Sequence, residues 1–197
     1  MSTGTKYPEY PFGVLSGRNE RGIPIVQFVE DLPTFMKQDN ATTKGVIEVL
    51  QEVRKELGQV EANLSRYKEL HKATIPDIKE TLEVVHFMRK KGESSDQPVT
   101  TSYQVSASIF AEATIEPSKG MVVLWLGANT AAELTFDEAE ALLTKNLEKK
   151  KEQLAQNIED LNFVKAQVTV CEVSIARVYN NDVKERRKKA AEEDDSK

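Results

Sequence analysis

Cysteine is almost missing from this 197-residue chain. Cys171 stands alone, so no disulfide can close within the chain and no cysteine cluster can hold zinc. A reducing compartment such as the cytosol suits that usage. Aromatic residues are sparse at 7%, and glycine and proline are few, at nine and seven. With 30% charged residues, this is a composition for long solvated helices more than for a thick globular core. An excess of basic residues is also lacking. The 27 Lys and Arg against 32 Asp and Glu leave a net charge of -5, which disfavours nucleic acid as a partner. No apolar run approaches the ~18 residues of a membrane span, so no membrane partner is expected. Met1 to Pro11 lacks a basic start followed by an apolar stretch, so no secretory signal is expected. There is no glycine-rich phosphate loop, His-Glu zinc motif or Ser-His-Asp arrangement. His71 and His86 lie too far apart in sequence for metal-ligand spacing. The chain is therefore not expected to be an enzyme, and no cofactor or metal is expected.

What is present is heptad patterning. Val46, Leu50, Val53, Leu57, Val60, Leu64 and Tyr67 follow one another in alternating steps of four and three, the spacing of a coiled-coil seam. The register then meets His71 and Thr74. With one extra four-residue step it resumes through Ile75, Ile78, Leu82 and Val85, as a stutter does. The spacing predicts a helix to about Lys91, roughly 70 Å long. Pro76 should kink this helix rather than stop it, because the apolar steps continue beyond it. Gly45 and Gly58 weaken it further, so it needs a packed partner. A second seam runs through Leu143, Leu147, Leu154, Leu161, Val164, Val168, Cys171, Ile175 and Val178, interrupted by Lys150 and Asn157. It begins at a capping box, Thr135 with Glu138, and should extend to about Arg187.

Between the seams the period changes from heptad to two. Gly92 to Pro98 is a break. Val99, Tyr103, Val105, Ala107, Ile109, Ala111, Ala113 and Ile115 then share one parity, the mark of strands with one buried face. After a turn at Glu116 to Gly120, Met121 to Leu126 is apolar on both parities and should be covered on both faces. Gly127-Ala128-Asn129 makes a second turn, and Thr130 to Leu134 one more strand.

Two stripes of similar length in one chain pair most simply with each other. The expected fold is mainly α: a long antiparallel intrachain coiled coil with β hairpins at its base. Strands this short have exposed edges and are poorly stable alone, so they should join strands of other subunits. The expected organisation is a flexible leader over 1–22, an N-terminal segment and first helix over 23–91, platform hairpins over 92–135, a second helix over 136–187, and an acidic tail over 188–197. At the start of 23–91, the apolar patch that begins at Gly22 and runs through Val29 into Glu30 to Met36 reads as a short helix or loop folded onto the main body or as an exposed contact surface.

Four stretches carry a family resemblance. They are Phe28 to Met36, Ile75 to Leu82, Leu124-Trp125-Leu126-Gly127-Ala128-Asn129 leading into Phe136 to Leu143, and Ala176 to Lys184. The Trp-Leu-Gly-Ala-Asn turn before the second helix is the most specific of them. In these the chain resembles prefoldin, the hexameric cochaperone, and its α-class subunits. The resemblance implies one further α-class and four β-class subunits as partners, with the hairpins joined in an intersubunit β-barrel platform. It also implies coiled-coil arms that hold unfolded actin and tubulin and pass them to the cytosolic chaperonin without ATP. The expected place is cytoplasmic, with the nucleus left open as a second.

A holder of non-native chains needs many weak apolar contacts, and several linked arms supply avidity. The candidate client-binding residues, at the free end of the seam, are Val46, Val49, Leu50, Val53, Ile175, Val178 and Tyr179. The candidate platform residues are Ile109, Met121, Val123, Leu124, Trp125 and Leu126. Cys171 reads as a small buried apolar residue. Asn157 reads as a register-setting polar residue, and Lys184 to Lys189 as a solvated helix end. The competing expectation is a structural coiled-coil subunit of a tethering or transport complex.

Overall fold

Apolar steps of four and three keep one stripe in line along an α-helix, and steps of two keep one face in line along a strand. The computed structural model, which describes residues 10–28, 30, 32–37, 41–94 and 97–195, follows this division. In order it contains strands β1 (Leu15–Arg18) and β2 (Pro24–Val26), helices α1 (Leu32–Lys37) and α2 (Thr43–Ser94), strands β3 (Val99–Ser106), β4 (Ile109–Ile115), β5 (Met121–Gly127) and β6 (Thr130–Thr135), and helix α3 (Phe136–Asp195). β1–β2, β3–β4 and β5–β6 are three separate antiparallel hairpins. The fold is mainly helical, with long paired helices and small hairpins. No described helix is long and apolar enough to cross a membrane.

Both long helices start at side-chain caps. The Gly45 N–H donates to Thr42 Oγ1 at the head of α2. At α3 the expected capping box is present and reciprocal. The Glu138 N–H donates to Thr135 Oγ1, while the Thr135 N–H and hydroxyl both donate to Glu138 Oε2. Those donors hold the Glu138 carboxyl below its ordinary range, the backbone N–H being the larger cause. α2 continues through Pro76 without ending.

The chain divides into two compact units. The terminal unit runs up to Tyr67 and resumes at Asn157. In it α2 and α3 pair antiparallel: Thr43 bonds to Asp182, and Arg54 to Glu172. Val46, Leu50, Val53 and Leu57 pack with Val164, Cys171 and Val178 in one cluster, and the Cys171 thiol donates to the Leu50 carbonyl at 3.1 Å. Val14, Ile23 and Val26 of the β1–β2 region and Leu32 of α1 complete the cluster. The patch Gly22 to Met36 thus contributes buried residues to the main body.

The expected leader needs correcting over residues 10–22. This stretch holds β1 and is tied down. Arg18 grips Glu56 with two nitrogens at 2.6 and 3.1 Å, and the Tyr10 hydroxyl donates to the same carboxylate. Desolvation, reinforced by that carboxylate, pushes the Tyr10 phenol up to about 12. Strands of four and three residues are too short to display a period, so pattern reading misses them. Residues 1–9 of the expected leader lie outside the described residues. The tail also differs, since α3 runs past Arg187 to Asp195. Ala190, Ala191 and Glu192 are strong helix formers, and that propensity outweighs the charge run.

The hairpin unit spans Lys68–Gln156. Here Val85 of α2 and Ala139 and Leu143 of α3 form a second core, with Ile78, Leu82, Leu142 and the inner side of β5–β6 around it. Glu140 on α3 receives His86 and Arg89 of α2, each at 2.6 Å. The antiparallel pairing therefore holds in this unit too. His71 occupies a buried seam position before the register shifts.

Two tests follow from this packing. Burial pushes the Cys171 thiol up to about 11, so iodoacetamide at pH 8 should label it only through local opening. Leu57→Ala, in the same cluster, should cost about 2–5 kcal/mol and speed labelling at least ~30-fold; unchanged labelling would contradict the packing. The second test concerns acid. Desolvation, and then the charge of Lys150, lowers the His71 pKa below its ordinary 6.5, so the folded state prefers neutral imidazole. Its contribution is intact above pH 6.5 and is lost as pH falls through the depressed value. Thermal unfolding midpoints should drop between pH 7.5 and 5, and His71→Leu should flatten that dependence.

Candidate functional site

The hairpins present more apolar surface than one chain can bury. In β5–β6, Val122 lies opposite Leu134 and Leu124 opposite Ala132, and this side joins the core of the hairpin unit. The alternate residues point away from it. Met121, Val123 and Trp125 lie opposite Thr135, Glu133 and Ala131, and Val123 and Trp125 are 65% and 67% exposed. The expectation that Met121 to Leu126 is covered on both faces is met on one face within this chain. A bulge between Trp125 and Gly127 also turns Leu126 outward.

The β5–β6 turn accounts for Gly127 and Asn129, and it holds Ala128 in a backbone region that alanine rarely adopts. Gly127, Ala128 and Asn129 all have positive φ, at 92°, 48° and 59°. Ala128 and Asn129 are the two connecting residues, and left-handed values at both make the tight hairpin turn whose twist matches the strands. Beside β5 a cleft opens between Ile78, Leu142 and Asn146 on the helices and Trp125 and Leu126 on the strand.

β3–β4 is more exposed still. A bulge between Gln104 and Ser106 breaks its alternation at Val105. Tyr103, Val105, Ile109 and Phe110 are all more than half exposed. The described contacts of this hairpin cover neither face, although its sequence alternation predicts one buried face.

Of the six expected platform residues, the structure gathers Met121, Val123 and Trp125 on one face, with Leu126 at its bulge and Ile109 exposed on β4. Leu124 does not belong with them. It is 8% exposed and packed in its own chain's core, because a strand sends successive side chains to opposite faces. Sequence reading left out Tyr103, Val105 and Phe110 as site residues. Phe110 sits on the polar parity, and the signal for it was a bulky aromatic with no apolar neighbour across the pair, opposite Gln104.

The seven seam candidates all fall in the terminal unit. Val46, Leu50, Val53 and Val178 are buried in one cluster, Val49 and Ile175 are half-buried against it, and Tyr179 is exposed. Residues of β1–β2 and α1 pack onto the same cluster, a covering that heptad patterning does not reveal. Asn157 is half-buried, with its Nδ2 shielded and without a hydrogen-bond partner among the described residues. The basic stretch after Val183 makes helix-surface pairs, Arg186 with Asp182 and Lys188 with Glu185.

Known proteins resemble the chain along most of its length. The family model described as "Prefoldin subunit" matches residues 57–181. "Prefoldin subunit 3" of Mus musculus is 43% identical over 168 residues, covering 85% of each chain. "Probable prefoldin subunit 3" of Schizosaccharomyces pombe is 39% identical over 174 residues, covering 88% of this chain and 98% of the relative. Among solved structures, a chain of the filamentous PFD of Methanocaldococcus jannaschii aligns with a TM-score of 0.47 at 18% identity, over 60% of this chain and 94% of that one. A family model over more than half of the sequence, and relatives this similar along most of their length, establish that the chain belongs to the prefoldin subunit family.

Proposed function

We propose that the chain is one of two α-class subunits in a hexamer with four β-class subunits, that the hexamer holds unfolded polypeptides of the actin and tubulin type, and that it passes them to the cytosolic chaperonin without ATP. Its place of work in this reading is the cytoplasm. The observation that carries the reading is the outward face of β5–β6, where Met121, Val123 and Trp125 stand exposed on a two-stranded hairpin. Two strands alone are marginally stable, and unpaired edges beside an apolar face favour strands from another chain. The cleft between Trp125 and Ile78 gives a neighbouring chain's apolar side chain a place to enter. A tethering coiled coil would need the seams and not this face, so that reading leaves the hairpins unexplained.

Client holding rests on weak apolar contacts in the terminal unit. Tyr179 is exposed, Val49 and Ile175 are half covered, and Val46, Leu50, Val53 and Val178 lie in the cluster they adjoin. Each contact is small, and the avidity of several arms makes the sum useful while leaving release easy.

The two parts of the proposal separate experimentally. Val123→Ser with Trp125→Ser should abolish or strongly reduce six-chain assembly with the natural partner subunits, read by native mass spectrometry; an intact hexamer would refute the platform role. Val49→Ser with Tyr179→Ser should leave the hexamer whole and lower its suppression of actin aggregation several-fold. Full suppression by that variant would remove these residues from the client site.

A further inference from the structure

α3 holds the N-terminal segment by its main chain, through two long side chains. The Val26 N–H donates to Gln167 Oε1 at 2.8 Å, and Arg177 Nη2 donates to the Glu30 carbonyl at 2.9 Å. The same guanidinium lies 4.7 Å from the centre of the Phe28 ring. Gln167 and Arg177 are ten residues apart, about 15 Å along a helix. Val26 and Glu30 are four residues apart, which an extended chain covers in at most ~14 Å. The separation of the two gripping residues is thus one that an extended four-residue step can span. Neither main-chain contact reads the identity of the side chain it serves, and the apolar side chain of Val26 is buried in the cluster beneath.

The hold is also one that can open. β1 and β2 have four and three residues, a hairpin that is not stable by itself. Beyond its apolar contacts it is tied by two ion pairs, Arg18 with Glu56 and Arg21 with Asp160, each at 2.6 Å, with Asp160 buried and Arg18 and Glu56 largely shielded. Breaking one member of a shielded pair leaves its partner uncompensated, so these two carboxylates are where the strap can be loosened, and its release exposes less than unfolding the helices does.

We infer that Gln167 and Arg177 form a main-chain recognition site for an extended apolar segment of an unfolded polypeptide, and that the chain's own β1–β2 strap occupies this site and competes with the client for it. The inference rests on the client-holding reading and adds its regulation. When the strap leaves, the covered part of the cluster containing Val46, Leu50, Val53 and Val178 becomes available, and the incoming segment repeats the contacts of Val26, Phe28 and Glu30. A competing strap lowers apparent client affinity by the fraction of time the site is open. It also keeps the apolar cluster covered when no client is present.

The test uses the assembled complex and, as probe, reduced carboxymethylated α-lactalbumin, which stays unfolded. In the wild-type complex, saturating probe should raise hydrogen exchange at the β1 and β2 amides. Glu56→Gln with Asp160→Asn, which leaves Arg18 and Arg21 uncompensated and so loosens the strap without altering its sequence, should tighten probe binding about fivefold. Adding Gln167→Leu should remove that gain. If the probe binds but the strap amides stay equally protected, or if Gln167→Leu leaves the gain intact, the inference fails while client holding stands. A wild-type complex that binds no probe overturns the client-holding reading and this one with it. The exchange measurement needs no variant, so a poorly folding mutant cannot shield the inference.

Discussion

The constraint on which the molecule depends is the narrowness of a helical stripe. A seam of a and d positions buries little surface per residue, and neither α2 nor α3 can hold its length in water without a partner. Each finds that partner in the same chain. In the terminal unit Val46, Leu50, Val53 and Leu57 meet Val164, Cys171 and Val178. In the hairpin unit Val85 meets Ala139 and Leu143. In both units the helices run in opposite directions, and the cross-helix pairs Arg54–Glu172 and Arg89–Glu140 lie beside the stripe.

A narrow seam also leaves work undone, and the rest of the chain is arranged around that remainder. In the terminal unit the β1–β2 strap and α1 thicken the core, and main-chain contacts to Gln167 and Arg177 hold part of that covering in place. In the hairpin unit β5–β6 covers the helices with one face and turns Trp125 and Val123 outward on the other. Both apolar surfaces are of the kind that monomeric proteins seldom leave open. One is covered by the chain itself, and the other suits assembly with further prefoldin subunits. Prefoldin membership and exposed hairpin faces thus lead to the same conclusion from independent directions.

Much of this was legible in the residues. Sustained steps of four and three announced both helices, and Thr135 with Glu138 announced where α3 begins, because capping needs an oxygen acceptor and a carboxylate at that spacing. The turn at Gly127 to Asn129 was visible through Gly127 and Asn129, since glycine and asparagine tolerate left-handed backbone best. Less legible were elements too short to show a period. β1 lies in a stretch whose composition suggests a leader, β2 is too brief to show its own period, and the charge run after Arg187 suggests a tail where helix propensity carries α3 on to Asp195.

Which residues face outward could not be settled by pattern alone. By itself the sequence determined that Leu124 and Trp125 both belong to an apolar strand, since that follows from their types and neighbours. Only the tertiary structure decided that Leu124 packs against α2 and α3 while Trp125 is left for another surface. The sequence likewise placed Val46, Leu50 and Val53 on a seam, and the tertiary structure brought a strap from far along the chain to help cover it. The physical reason is common to both cases. Helix and strand periods are local properties of the backbone, whereas burial depends on which remote segment arrives to exclude water.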